Sequence, residues 1–80
     1  MKVEELVPGM KVDLAGNQAT FVARATHPLW PSLQLVVWRM RDGDWFHDAL
    51  DLWQDVGTTA PSTASERETN LREALLGERS

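Results

Sequence analysis

The sequence predicts a mainly β domain: a small SH3-like barrel of about five strands followed by a short C-terminal helix. Three observations carry this expectation. Met10, Val12 and Leu14 alternate with Lys11 and Asp13, the period of a half-buried strand, and dense apolar runs over 18–26, 33–41 and 44–49 read as further strands. Turn dipeptides, Gly16-Asn17 and Asp42-Gly43, separate these runs. Four tryptophans crowd into residues 30–53 of an 80-residue chain that has no Cys and no Tyr. A domain this small has a thin stability margin, and large aromatics are the efficient way to bury apolar area. The alternative is an α+β arrangement, an antiparallel sheet with the helix packed on one face.

Val7-Pro8-Gly9-Met10 makes a turn feeding the first strand, in which Met10, Val12 and Leu14 alternate with Lys11 and Asp13. Gly16-Asn17 supplies positive φ for a tight hairpin into the second strand, about Gln18 to Thr26. His27-Pro28-Leu29-Trp30-Pro31 interrupts the pattern, because proline cannot donate to a ladder. The third strand is Leu33 to Arg41, and Asp42-Gly43 turns it into a fourth, Asp44 to Ala49. Leu50, Trp53 and Val56 are spaced by three and predict one helical turn before a brief last strand near Val56 to Thr59.

Three domain-level segments follow: a β-barrel domain over 1–57, a small-polar linker over 58–65, and a short amphipathic helix or partly disordered tail over 66–77. Ser65 with Glu68, or Thr63 with Glu66, offers a capping box, and Gly77 suits the stop. Leu71, Ala74 and Leu75 share one helix face and are the tail's candidate contact residues.

Turn positions set register. Pairing Val12 with Phe21, Phe21 with Trp38, Ala23 with Val36, Met40 with Trp45, and Trp38 with His47 puts one set of residues on one face. That face holds Met10, Val12, Leu14, Ala19, Phe21, Ala23, Val36, Trp38, Met40, Trp45, His47 and Ala49, and is the expected core. Trp53 is expected to join it or to close one barrel end. The opposite face mixes charge with Val22, Leu35, Val37 and Phe46, the last facing Arg39. An apolar patch ringed by charge marks a contact surface. Trp30, held between two prolines, is either a plug or a rigid interface anchor. The candidate partner-binding residues are therefore Trp30, Val22, Leu35, Val37, Phe46 and Arg39.

Composition narrows the function. The formal charge of −4 opposes the clustered positive surface that phosphate binding requires. Arg24, Arg39 and Arg41 beside Phe46 make the best case for nucleic acid, and Asp44 and Asp48 are placed to neutralise it. No run approaches a membrane span, and the acidic start Met1-Lys2-Val3-Glu4-Glu5 is unlike a signal peptide. The expectation is a soluble, cytoplasmic protein with nothing cleaved and no membrane partner.

Catalysis is not expected. There is no Cys, Ser32 lies in a loop, and Ser62, Ser65 and Ser80 lie in the tail without an elbow around them. His47, Asp48, Asp51 and His27 are the one cluster resembling a metal or acid–base site. His47 and Asp48 are adjacent on a strand and point to opposite faces, so no convergent set forms. His47 is expected to be a partly buried, hydrogen-bonded residue at the core's rim. No glycine-rich phosphate loop, cofactor, metal or small-molecule substrate is evident.

Val7-Pro8-Gly9-Met10, Ala19-Thr20-Phe21-Val22-Ala23, His27-Pro28-Leu29-Trp30-Pro31, Leu35-Val36-Val37-Trp38-Arg39, Asp42-Gly43, Asp48-Ala49-Leu50 and Gln54-Asp55-Val56-Gly57 form a series of strings in fixed order. The series resembles small uncharacterised SH3-like-barrel proteins of actinobacteria and their phages, over about residues 6–57 and not the tail. The resemblance implies a phage or mobile-element origin and carries no catalytic residue. The functional expectation is a non-catalytic protein-interaction module acting on a host or phage protein, or on itself, in the host cytoplasm. The alternatives are a virion structural or assembly component and a nucleic-acid-binding accessory factor.

Overall fold

The structure, a computed structural model, describes residues 1–58 and 63–76. It is an open antiparallel sheet with one helix packed on it. Strands β1 (Lys11–Leu14), β2 (Asn17–Thr26), β3 (Leu33–Met40) and β4 (Trp45–Asp51) are followed by a two-residue β5 (Gly57–Thr58) and helix α1 (Ala64–Leu76). The sheet order is β4-β3-β2-β1-β5, so β4 and β5 are opposite margins that do not meet. The expected closed SH3-like barrel is therefore corrected. The sheet-plus-helix alternative describes what forms.

The barrel does not need to close, because other chain segments cover the inner face. Residues Val3–Glu5 form a 3₁₀ turn, and Val3 and Leu6 are buried there with Val12, Ala19, Phe21, Val36 and Trp38. This N-terminal strap is tied to the segment after β4. Val3 N–H donates to the Gln54 carbonyl at 2.9 Å, Glu4 N–H to Leu52 at 3.1 Å and Val56 N–H to Met1 at 2.8 Å. Phe21 and Trp38 meet edge to face at 5.6 Å between ring centres, in the middle of the covered area.

Three register details differ from the sequence reading, each for a local reason. The first hairpin turns at Ala15-Gly16, both with positive φ, rather than at Gly16-Asn17. Asp13 Oδ1 accepts from Gly16 N–H at 2.8 Å and holds the turn. Val12 therefore pairs with Ala19. The slip from the expected pairing is two residues, so every side chain keeps its face.

The second difference is a bulge at Val22. Phe21 pairs with Trp38 as expected, but Ala23 then pairs with Val37 and Arg24 with Val36. One extra residue reverses the parity of the strand beyond it. Ala23, expected in the core, is exposed. Arg24 turns instead toward the strap, donating from Nη1 to the carbonyls of Val3 at 2.6 Å and Leu6 at 2.9 Å. Replacing Arg24 with Met should remove both charge-assisted bonds and cost about 2–3 kcal/mol, because the carbonyls that lose this donor belong to the buried Val3 and Leu6. Urea unfolding read by circular dichroism checks this. Arg24→Lys, a single point charge without the fork, should restore only part.

The third difference is the β3–β4 turn. Arg41, Asp42 and Gly43 form a three-residue loop. Met40 N–H donates to Asp44 at 2.7 Å, Gly43 N–H donates to Met40 at 3.0 Å, and Gly43 has φ +98°. This is a turn completed by a glycine bulge, and Asp42 Oδ1 supports it by accepting from Asp44 N–H at 3.0 Å. Trp38 then pairs with Phe46, not His47, and Arg39 pairs with Trp45. A shift of one residue exchanges the faces of the whole of β4. Phe46, Asp48 and Leu50 lie on the inner side, and Trp45, His47, Ala49 and Asp51 on the outer.

Helix α1 packs on β2 from the outer side. Thr20 and Gly9, both at outer-face positions, are buried, and Asn70 Nδ2 donates to the Gly9 carbonyl at 3.1 Å. Thr63 Oγ1 caps the helix by accepting from Glu66 N–H at 3.1 Å, and Glu68 pairs with Arg72 at 3.2 Å one turn apart. The helix thus starts at Ala64, within the expected linker. Residues 59–62 of that linker, including Thr59 of the expected last strand, and Gly77 lie outside the described residues.

Candidate interaction surface

The four tryptophans divide differently from the sequence expectation. Trp38 is 1% exposed, the largest fully buried side chain. Trp45, expected in the core, is 51% exposed because the three-residue turn places it outward. The Arg39 guanidinium lies over its ring at 4.4 Å from the centroid, a cation–π pair across adjacent strands. Trp53, expected as core or lid, is 66% exposed. The predicted helical turn there is a tight turn, with Gln54 N–H donating to Asp51 at 3.1 Å, which leaves Trp53 at its tip. Leu50 and Val56 alone of that trio pack against the core.

Trp30 is 59% exposed, so it projects rather than plugs. His27 stiffens its loop. Nδ1 of His27 accepts from the N–H groups of Leu29 at 3.1 Å and Trp30 at 3.3 Å, and its ring lies 4.8 Å from the Trp30 ring. The aromatic is thus presented on a short hydrogen-bonded loop at the end of β2 and β3.

The structure keeps some of the sequence-predicted contact residues together and separates others. Leu35 and Val37 stay on the outer face, where Leu35 pairs with Ala49, Val37 with His47 and Arg39 with Trp45. Val22 is the bulge residue and is half-buried. Phe46 belongs to the other face, paired with Trp38. Arg39 faces Trp45 in place of the expected Phe46, and Val37 lies opposite Ala23. His47 is exposed rather than lodged at the core's rim. On the helix, Ala74 is buried, Leu71 half-buried and Leu75 exposed.

Sequence reasoning missed the inner-face opening beside β4. Phe46, Met40, Leu14, Leu50 and Val56 line a cleft of about 500 Å³ with the edge of Trp38 at its floor. No strap residue lines it, although Met1 bonds to Val56 at its rim. Asp13, Asp48 and Asp55 stand around it, and none of its lining residues is Lys, Arg or His. The missing signal was the turn length: with a three-residue loop, Phe46 points to this side.

β4 is also a sheet margin. The Met40–Asp44 hydrogen bond fixes the alternation of the ladder, so residues 46, 48 and 50 bond to β3 while 45, 47 and 49 direct N–H and C=O outward, as Asp51 does its N–H, its carbonyl accepting from Gln54. Ala49 N–H is taken by Asp48 Oδ1 at 2.8 Å. No other strand among the described residues pairs with this margin.

Among the described residues, no three His, Cys, Asp or Glu side chains converge to hold a metal ion, and no helix is long and apolar enough to cross a membrane. Comparison with family models, with curated proteins and with solved structures finds no match.

Proposed function

We propose that this chain is a non-catalytic protein-interaction module whose working surface is centred on β4. The observation that supports it is a pair of consecutive aromatics, Trp45 and Phe46, each about half exposed on opposite faces of a margin strand. Leaving both in water forgoes burial that a domain of this size needs, and clustered exposed apolar area marks contact surfaces. Trp30 supplies a second aromatic anchor. The phage or mobile-element origin implied by the sequence resemblance belongs to this reading, with a host or phage protein as partner in the host cytoplasm.

A second reading, a virion structural or assembly component, is favoured by the open β4 margin, which copies of one chain can share by symmetry. Its test is the copy number of the protein in purified particles. Support for a nucleic-acid accessory factor is thinner. Arg24 is engaged with the strap carbonyls and Arg39 with Trp45.

The deciding experiment is affinity purification from the native host with the intact chain and with the double variant Trp45→Asp, Trp30→Ala, alongside sedimentation equilibrium. Retained protein, or self-association, should fall at least tenfold in the variant while its circular dichroism spectrum stays unchanged. Equal retention by both forms would exclude this surface.

A further inference from the structure

Resting on that reading, we infer that the partner is an extended, basic segment of polypeptide that adds to the sheet as a strand beside β4. Two independent features select this occupant. The first is the backbone. His47 directs its N–H and C=O, and Asp51 its N–H, away from β3 with no strand of the described chain to receive them, the Asp51 carbonyl being taken by Gln54 N–H. An added strand satisfies such groups directly, and this is how extended peptides dock on sheet margins.

The second feature is charge. β4 carries Asp48 and Asp51, its entering turn carries Asp44, and Asp13 stands across the cleft, while Asp55 there already faces the N-terminal ammonium at 3.9 Å. A second copy of this chain would bring the same carboxylates against these, which repel when opposed across strands. A segment carrying Lys or Arg meets them with complementary charge. The half-exposed Trp45 ring gives outward-pointing apolar side chains of that segment a surface to bury against. The recognised pattern is therefore alternation: basic residues on the inner side, toward Asp48 and the acidic cleft, and aliphatic residues on the outer side, beside Trp45 and Ala49. Asp48, by occupying Ala49 N–H, guards the margin against unspecific pairing. A bound strand displaces that contact while keeping the charge.

The probe is a capped nine-residue peptide of alternating valine and lysine, titrated into the full isotope-labelled chain and followed by amide NMR. Shifts should concentrate at residues 45–51, the His47 and Asp51 amides should gain at least tenfold protection from exchange, and the apparent Kd should weaken severalfold from 50 to 300 mM salt. The glutamate counterpart should leave the spectrum unchanged. His47→Pro removes one outward donor and no β3–β4 bond, so it should keep the fold and weaken binding about tenfold. Equal shifts from the glutamate peptide, or β4 shifts that depend on protein concentration with no peptide present, overturn the basic-strand inference and leave the interaction surface standing. No response at β4 to either peptide at millimolar concentration, with no self-association, overturns both.

Discussion

Replacing Trp38 with Ala is expected to cost about 3–5 kcal/mol, whereas replacing Trp45 with Ala should cost no more than about 1 kcal/mol. The two residues flank one hairpin and are chemically identical, so the contrast isolates environment. Trp38 is almost wholly buried and packs edge to face on Phe21. Its truncation removes a large aromatic surface and leaves a cavity under the strap, a loss of about 3–5 kcal/mol. A domain of this size has a total stability on the order of 5–10 kcal/mol, so the variant should populate unfolded chain in water. Trp45 loses a cation–π contact with Arg39 and little burial. Urea titration followed by far-ultraviolet circular dichroism reads both, with Trp38→Phe as an intermediate retaining a measurable transition. Comparable losses at 38 and 45 would mean that β4 sits in the other register.

That register is where legibility in the sequence stopped. Apolar runs separated by turn residues identified all four long strands, and Phe21 does lie opposite Trp38, although the loop pairs Thr26 with Gln34 and only the bulge at Val22 restores that register. The first hairpin tolerated an error because its slip was two residues, and period-two side chains do not register an even slip. The β3–β4 turn did not. Asp42-Gly43 suits a two-residue hairpin equally well as the end of a three-residue loop with a glycine bulge, and the two differ by one residue. Both registers bury a respectable set, one with Trp45 and one with Phe46, so hydrophobic alternation could not choose between them. The bulge at Val22 was hidden for a related reason. Val22, Ala23 and Ala25 are all apolar, and Arg24 carries no sequence sign that its guanidinium will be spent on the Val3 and Leu6 carbonyls.

The same mechanism accounts for the surface. Trp30 was visible because prolines flank it. The cleft beside Phe46 was not, because it depends on which side of β4 faces inward and on how far the N-terminal strap reaches. The first is set by the three-residue turn, and the second by long-range pairing of residues 2–4 with residues 52–55, which no local pattern announces. Barrel closure failed as an expectation on the same point, since the strap covers what a wrapped sheet would have covered.

Gly9→Ala is expected to destabilise the protein by about 3 kcal/mol, and Gly16→Ala by only about 1–2 kcal/mol. Both glycines have left-handed φ, +94° and +89°, so both variants incur the same backbone penalty. They differ in what surrounds the added methyl. At Gly16 nothing lies within 4 Å. At Gly9 it would overlap the main-chain carbonyl of Arg67 in α1, which is backbone and cannot rotate aside. The helix must then lift from the turn, stretching the Asn70 to Gly9 hydrogen bond and exposing Ala74. The difference between the two variants therefore measures helix docking separately from turn strain. Hydrogen exchange should show the same thing by position. In Gly9→Ala the amides of residues 67–76 should lose protection first, while those of β2 and β3 keep theirs until global unfolding. In Gly16→Ala protection should fall uniformly with the global stability. Equal losses in the two variants, with unchanged exchange along the helix, would mean that α1 contributes nothing to the fold and that the outer face of β2 is free for other partners.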